Sequence, residues 1–141
     1  MSTTAAEANR SALLAAWRAI DDEGRLDEMG RWFAPGYVRR SADGEYTREG
    51  FRDVLAALKR GFPDLSTRIE DAVAEGDRVA YRWVAIGTHA GDYLGIGPTH
   101  KRITATGITI SRFDSEGLIV EDWASWNKAS VLHALGIIPL G

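Results

Sequence analysis

Between Ser66 and Asn127 the chain is composed largely of strand-forming residues, and that limits what the other half can become. The runs STRIEDAVAEGD, RVAYRWVAIGTHAG, KRITATGITISRFD and GLIVEDWASWN are rich in β-branched and aromatic residues and are separated by turn residues. They are expected to form four consecutive antiparallel strands. A sheet built this way has a face that must be covered, and the N-terminal half supplies helices to cover it.

From Thr4 to Asp21, the residues Leu13, Leu14, Trp17 and Ile20 recur at helical spacing, with Arg10 and Arg18 turned away, and DDEG ends the pattern. A second short helix is expected from about Arg25 to Phe33, with Leu26, Met29, Trp32 and Phe33 as its buried edge and Pro35-Gly36 as its break. Tyr37 to Arg40 read as extended. After the turn-like SADGEY, Thr47 is placed to cap a third helix reaching Gly61, in which Phe51, Val54, Leu55 and Leu58 share a face and which Pro63 stops. Asn127 is placed to cap a last helix carrying Val131, Leu132 and Leu135, closed by Gly136.

The fold class these elements predict is α+β. It comprises a curved antiparallel sheet with three N-terminal helices packed on its concave face, an α+β barrel or cone, and a short C-terminal helix. With 141 residues and no repeat, linker or low-complexity stretch, one domain spanning 1–141 is expected. The glycine- and proline-rich connection GDYLGIGPTH is placed to form a loop over the mouth of a cavity.

The charge of -3 carries no basic stripe, so neither nucleic acid nor an anionic membrane is an expected partner. Cysteine is absent, which removes disulfides, zinc-thiolate sites and thiol nucleophiles. The start of the chain lacks a basic region before an apolar core, and no run is long enough to span a membrane, so the expected location is the cytoplasm. His89, His100 and His133 show no ligand spacing, and no metal is expected.

The phrases FPDLSTRIEDAVAEGDRVAYRW, GTHAGDYLGIGPTHK and GLIVEDWASWN, in that order after the helices, resemble the SnoaL-like polyketide cyclases. Those enzymes belong to the cone-shaped group that includes ketosteroid isomerase and nuclear transport factor 2. The likeness runs from about Ala15 to Gly136. It implies a deep, mostly apolar pocket between helices and sheet, a homodimer, and neither metal nor nucleotide, so that no cofactor is needed. Fold alone leaves the reaction open.

Alternation along a strand puts Val120, Asp122, Ala124 and Trp126 on one face and Ile119, Glu121, Trp123 and Ser125 on the other. In the aldol cyclases of the family the acid–base aspartate falls where this chain has Ala124. A histidine of theirs falls at Thr109, a glutamine at Gly107 and an asparagine at Arg39. The named catalytic groups are thus missing. Asp122, in the family's histidine slot, is the pocket carboxylate on this strand, and burial among aromatics would raise its pKa toward the range useful for proton transfer.

The candidate catalytic residues are therefore Asp122 as proton carrier, Arg39 as stabiliser of an enolate or phenolate, and His89, whose strand parity matches Tyr81, Trp83 and Ala85. An ion pair of purely structural purpose between Asp122 and Arg39 fits the same residues, as does a hydrogen-bonding role for His89 near the loop. Tyr37, Trp83, Thr109, Ala124 and Trp126 are the candidate substrate contacts. Trp17 and Trp32 read as core, and Trp123 as packing on the other sheet face or at a dimer contact. The small side chains Ala105, Gly107, Thr109 and Ser111 suggest a roomy pocket, although a glycine there also fits strand curvature.

The function expected is that of a small-molecule enzyme acting on an aromatic, polyketide-like hydrophobic substrate by proton abstraction, leaning toward cofactor-independent hydroxylation. Aldol-type cyclisation is the alternative, and a non-catalytic ligand-binding or dimerisation module is the alternative from another class.

Overall fold

The computed structural model describes residues 4–138. Helix α1 (Ala5–Trp17) starts at Thr4, whose hydroxyl accepts the Glu7 N–H at 3.1 Å, and it runs into a π-turn over Arg18–Asp22. A 3-10 helix, Leu26–Arg31, precedes strand β1 (Phe33–Ser41), which forms a hairpin with β2 (Gly44–Thr47). Helix α2 (Arg48–Gly61) is capped by Thr47, which accepts the Gly50 N–H at 3.1 Å. Strands β3 (Ser66–Glu75), β4 (Arg78–Thr88), β5 (Arg102–Phe113) and β6 (Ile119–Trp126) follow, and α3 (Lys128–Ala134) comes last.

The six strands form one sheet in the order β2-β1-β6-β5-β4-β3. All neighbours are antiparallel except β1 and β6, which are parallel. The strand order explains this exception to the antiparallel expectation. β1 docks on the free edge of β6, and α2 then carries the chain across to β3 at the far edge. Register shifts in the β1–β6, β3–β4 and β5–β6 pairings bend the sheet, and α1 and α2 pack on the concave side of that bend.

Three local expectations are corrected. The second helix is a 3-10 turn, and Phe33 belongs to β1. Pro35 and Gly36 do not break the chain but lie inside β1, within the register shift between Phe33 and Val38, where a missing proline N–H leaves no ladder bond unmade. Asn127 occupies the cap position of α3 without capping it. Its side chain turns to β5 instead, accepting the Thr106 N–H at 2.8 Å and donating to the Thr104 carbonyl at 3.4 Å.

Two apolar clusters fill the concave side. One gathers Leu13, Ile20, Met29, Phe33, Tyr37, Phe51, Val79, Tyr81, Phe113 and Ile119. The other gathers Phe62, Ala85, Ile103, Ala105, Val131 and Leu135 around α3 and the ends of β4 and β5. They do not fuse, and residues from both line the space between them. No helix among the described residues is long and apolar enough to cross a membrane.

Candidate active site

The space between the clusters is a cavity of about 150 Å³, partly open to solvent. A void of that size in an apolar interior holds about one benzene ring. Its walls are mostly apolar: Trp17 from the end of α1, Ile20 from the π-turn, Phe51, Val54, Leu55 and Leu58 from α2, and Tyr81, Trp83, Ala85, Ala105 and Trp126 from the sheet. Charged side chains enter at three places, as Arg39, as Asp21 with Lys59, and as Asp43.

Strand register builds the Arg39 corner. Arg39 pairs with Asp122 across β1–β6, and Ser111 pairs with Asp122 across β5–β6, so three strands bring three inward side chains abreast. Tyr37 donates to Asp122 Oδ2 at 2.5 Å, Arg39 donates to the same oxygen at 3.2 Å, and Ser111 donates to Oδ1. Asp122 is fully buried and sits behind the wall, whereas Arg39 is in it, its guanidinium 4.2 Å from the centroid of the Phe51 ring.

Burial drives the Asp122 carboxyl above its ordinary pKa; Arg39, Ser111 and Tyr37 pull it back without cancelling the rise. Burial would lower Arg39, but the charge of Asp122 and the neighbouring phenols reverse that, and its pKa lies above the ordinary value. Tyr37 is pushed well above its usual range, first by burial and then by the carboxylate it donates to. Tyr81, in the cavity wall, is also raised by burial and by Asp122. Its hydroxyl accepts the Trp17 Nε1–H at 3.1 Å and interacts with the Ser111 hydroxyl.

The other expected site residues divide by depth. Trp83, Thr109 and Trp126 line the cavity with Arg39. Tyr37, Ala124 and Asp122 face the concave side but are covered. His89 is fully buried and packs on Phe62, with ring centroids 5.4 Å apart. Its Nδ1 meets the Thr99 hydroxyl at 2.9 Å and the Thr99 N–H at 3.3 Å, and its Nε2 has no partner among the described residues. Its backbone binds Lys101 and His100, closing the base of the loop that brings Tyr93 into the wall. Trp17 packs against the core cluster as expected and also lines the cavity, bonded to Tyr81.

The expectation of room beside Gly107 and Thr109 is corrected by Trp83. Its indole crosses β5, so that a Cβ on Gly107 would lie 2.4 Å from the ring, and its Nε1–H donates to Thr109 Oγ1 at 3.1 Å. The volume released by a small side chain on one strand is filled from the next. Asp21, Lys59, Asp43 and Tyr46 were not singled out in the sequence. The first reaches the wall through the π-turn and the last two through the unforeseen β1–β2 hairpin.

A family model described as SnoaL-like polyketide cyclase matches residues 10–135. The chain belongs to the SnoaL-like polyketide cyclase family. Among solved structures it is similar to AclR, a proposed hydroxylase from Streptomyces galilaeus, at 28% identity and TM-score 0.82, covering 93% of this chain and 97% of that one. It is similar to IdmH, a proposed polyketide cyclase from Streptomyces antibioticus, at 29% identity and TM-score 0.78, covering 91% and 98%. A SnoaL-like protein from Jannaschia sp. CCS1 shares the fold at 21% identity and TM-score 0.83, covering 99% of each chain. No curated protein matches the sequence.

At the rim of this SnoaL-like cavity, Asp43 accepts from Ser41, from Tyr46 at 3.0 Å and from Lys128 at 3.1 Å, tying the β1–β2 hairpin to α3. Burial alone would raise its pKa, but the three donors outweigh it and hold the carboxyl at about 2 against an ordinary 3.8. A folded-state pKa below the unfolded value adds stability at higher pH, and that stability is lost as the carboxylate protonates. In thermal melts, the stability gap between wild type and Asp43→Asn is therefore expected to be full above pH ~4 and to close between ~4 and ~2. For Gly107→Ala, the clash with Trp83 and with the Ser125 carbonyl at 2.8 Å should destabilise the fold by about 1–3 kcal/mol. Urea unfolding gives that cost, and a changed tryptophan emission would report the displaced indole.

Proposed function

We propose that this SnoaL-like protein is an enzyme that removes a proton from an aromatic, polyketide-like substrate, with Arg39 stabilising the resulting enolate or phenolate and Asp122 receiving the proton. The observation that carries this reading is the Arg39 guanidinium, lying on Phe51 in a mostly apolar wall with a buried carboxylate behind it. In such a cavity a fixed cation is worth far more to a developing oxyanion than it would be in water. Asp122 does not meet the substrate directly. Between them stand Tyr81, in the wall, and Ser111, whose hydroxyl donates to Asp122 and interacts with that of Tyr81, and the proton is proposed to reach Asp122 by way of these two hydroxyls. The burial-raised pKa of Asp122 suits it to hold that proton. One ring fits the enclosed space, and further fused rings extend toward the rim formed by Tyr46, Asp43 and Tyr93.

Within that reading the anion does not close a ring but adds dioxygen, and the hydroperoxide so formed takes up a proton and loses water, its O–O bond breaking to leave a carbonyl. Ala124 and Thr109 carry no acid–base side chain where the cyclases have theirs, and AclR, 28% identical, is itself a proposed hydroxylase. The cyclase alternative draws on the similarity to IdmH. A non-catalytic binder draws on the same bare positions, closed over by Trp83.

A second copy of the chain is proposed to cover the convex sheet face, where Ile108, Ile110 and Trp123 are exposed and Arg40 and Arg78 flank the Trp123 ring. Sedimentation equilibrium is expected to give a dimer for the wild type and a monomer for Ile108→Asp; a monomeric wild type would remove the proposal.

Turnover of a hydroxylated polycyclic polyketide, followed with an oxygen electrode, separates the chemistries. Oxygen uptake matching product is expected, anaerobic turnover would mean cyclisation, and binding without product would mean a carrier. Arg39→Gln should lower kcat about 10²–10³-fold and Asp122→Asn about 10²-fold or more. Full turnover by folded Asp122→Asn excludes its proton-transfer role.

A further inference from the structure

The cavity has a second polar corner that takes no part in the chemistry assigned to Arg39 and Asp122. Trp17, Ile20 and Asp21, at i, i+3 and i+4, share one face and all reach the wall, the last two from the π-turn Arg18–Asp22. Widened turns of this kind are rare and recur at functional sites. Asp21 Oδ2 accepts the Thr67 N–H at 2.8 Å, anchoring the end of the helix to the start of β3. Lys59 from α2 lines the same corner, donates to the Leu65 carbonyl at 2.8 Å and acts on Asp21 through its charge.

The two carboxylates in the wall differ in what they have left to offer. Asp43 is committed to Ser41, Tyr46 and Lys128. Asp21 has Thr67 as its hydrogen-bonding partner among the described residues, and a carboxylate has about four acceptor positions. Burial raises its pKa, opposed by Thr67 and Lys59 and reinforced by Asp22. A group desolvated in this way, with acceptor capacity unspent, gains from a donor arriving on a ligand.

Asp21 and Arg39 also stand apart. β1, which carries Arg39, is second in the strand order, while β3, which anchors Asp21, is last. Leu55, Tyr81 and Trp83 lie in the wall they share. Resting on the reading of this cavity as an aromatic substrate site, we propose that Asp21 contacts the substrate, accepting a hydrogen bond from a phenol or enol hydroxyl at the end remote from Arg39. The cavity thereby selects rings oxygenated at both ends, because an acceptor that the ligand covers and leaves unpaired penalises an analogue that lacks the hydroxyl.

The test compares 2,7-dihydroxynaphthalene with 2-naphthol, titrated against quenching of the cavity tryptophans. Wild type is expected to bind the diol about tenfold more tightly or better, the range for a hydrogen bond to a charged group. Asp21→Asn keeps an acceptor for Thr67 and should bring the two affinities close to parity. Arg39→Gln should weaken both ligands and leave their ratio in place. A ratio that Asp21→Asn does not change, or near-equal affinities in wild type, overturns the role of Asp21 and leaves the aromatic site standing. No quenching by either ligand in wild type overturns both. If Asp21→Asn does not fold, Asp21→Ser, which also keeps an acceptor, reads the same ratio.

Discussion

A carboxylate with no solvent exposure sits at the junction of three strands, and much of the site follows from how it is satisfied. Burying Asp122 as an ion costs several kcal/mol unless its oxygens are matched, and Tyr37, Arg39 and Ser111 match them from β1 and β5. Ser111 reaches it across the β5–β6 pair, and Tyr37 and Arg39 reach it only because β1 runs parallel to β6 in a register that sets Arg39 opposite Asp122. The ion pair and the strand docking are therefore one constraint. Loss of the register would strand a charge in the core, and loss of the charge would leave Arg39 in an apolar wall without its counterion. The same arrangement points the guanidinium at the cavity.

The aromatic walls follow a second rule, that space left on one strand is taken by the next. Gly107 and Thr109 are small where the family's cyclases carry a glutamine and a histidine, and the indole of Trp83 lies across both. Close packing of the interior makes this the default outcome. A binding cavity persists because the two apolar clusters share Trp83 but otherwise leave a space between them, whose charged groups are confined to three corners. Such a space favours a flat apolar ligand with oxygen at its edges.

Much of this was legible from residue order. Alternation along IVEDWASWN assigned Val120, Asp122, Ala124 and Trp126 to the inner face and Ile119, Glu121, Trp123 and Ser125 to the outer one. Burial follows that division for Asp122, Trp123, Ala124 and Ser125, but Ile119 is buried in the core, because the β5–β6 register shifts between Ile119 and Glu121 and reverses the parity. The amphipathic faces of α1 and α2 were equally readable. The docking of β1 was not, because a parallel partner nearly ninety residues away leaves no local pattern, and the hairpin with β2 was hidden inside a turn-like phrase. Asp21 escaped notice although it shares the face of Trp17 and Ile20 at helical spacing, because it opens the DDEG phrase that reads as the end of the helix. His89 had the right parity, but parity gives a face and not a depth, and Phe62 stands in front of it.

Periodicity and turn chemistry, which act over a few residues, determined most of the elements and their inward faces from sequence alone. Tertiary structure decided which inward residues reach the cavity. Depth, register between distant strands and the filling of small-residue gaps arise only when the layers close on one another. That closure hides Asp122, presents Arg39, spreads Trp83 across β5 and turns Asp21 inward.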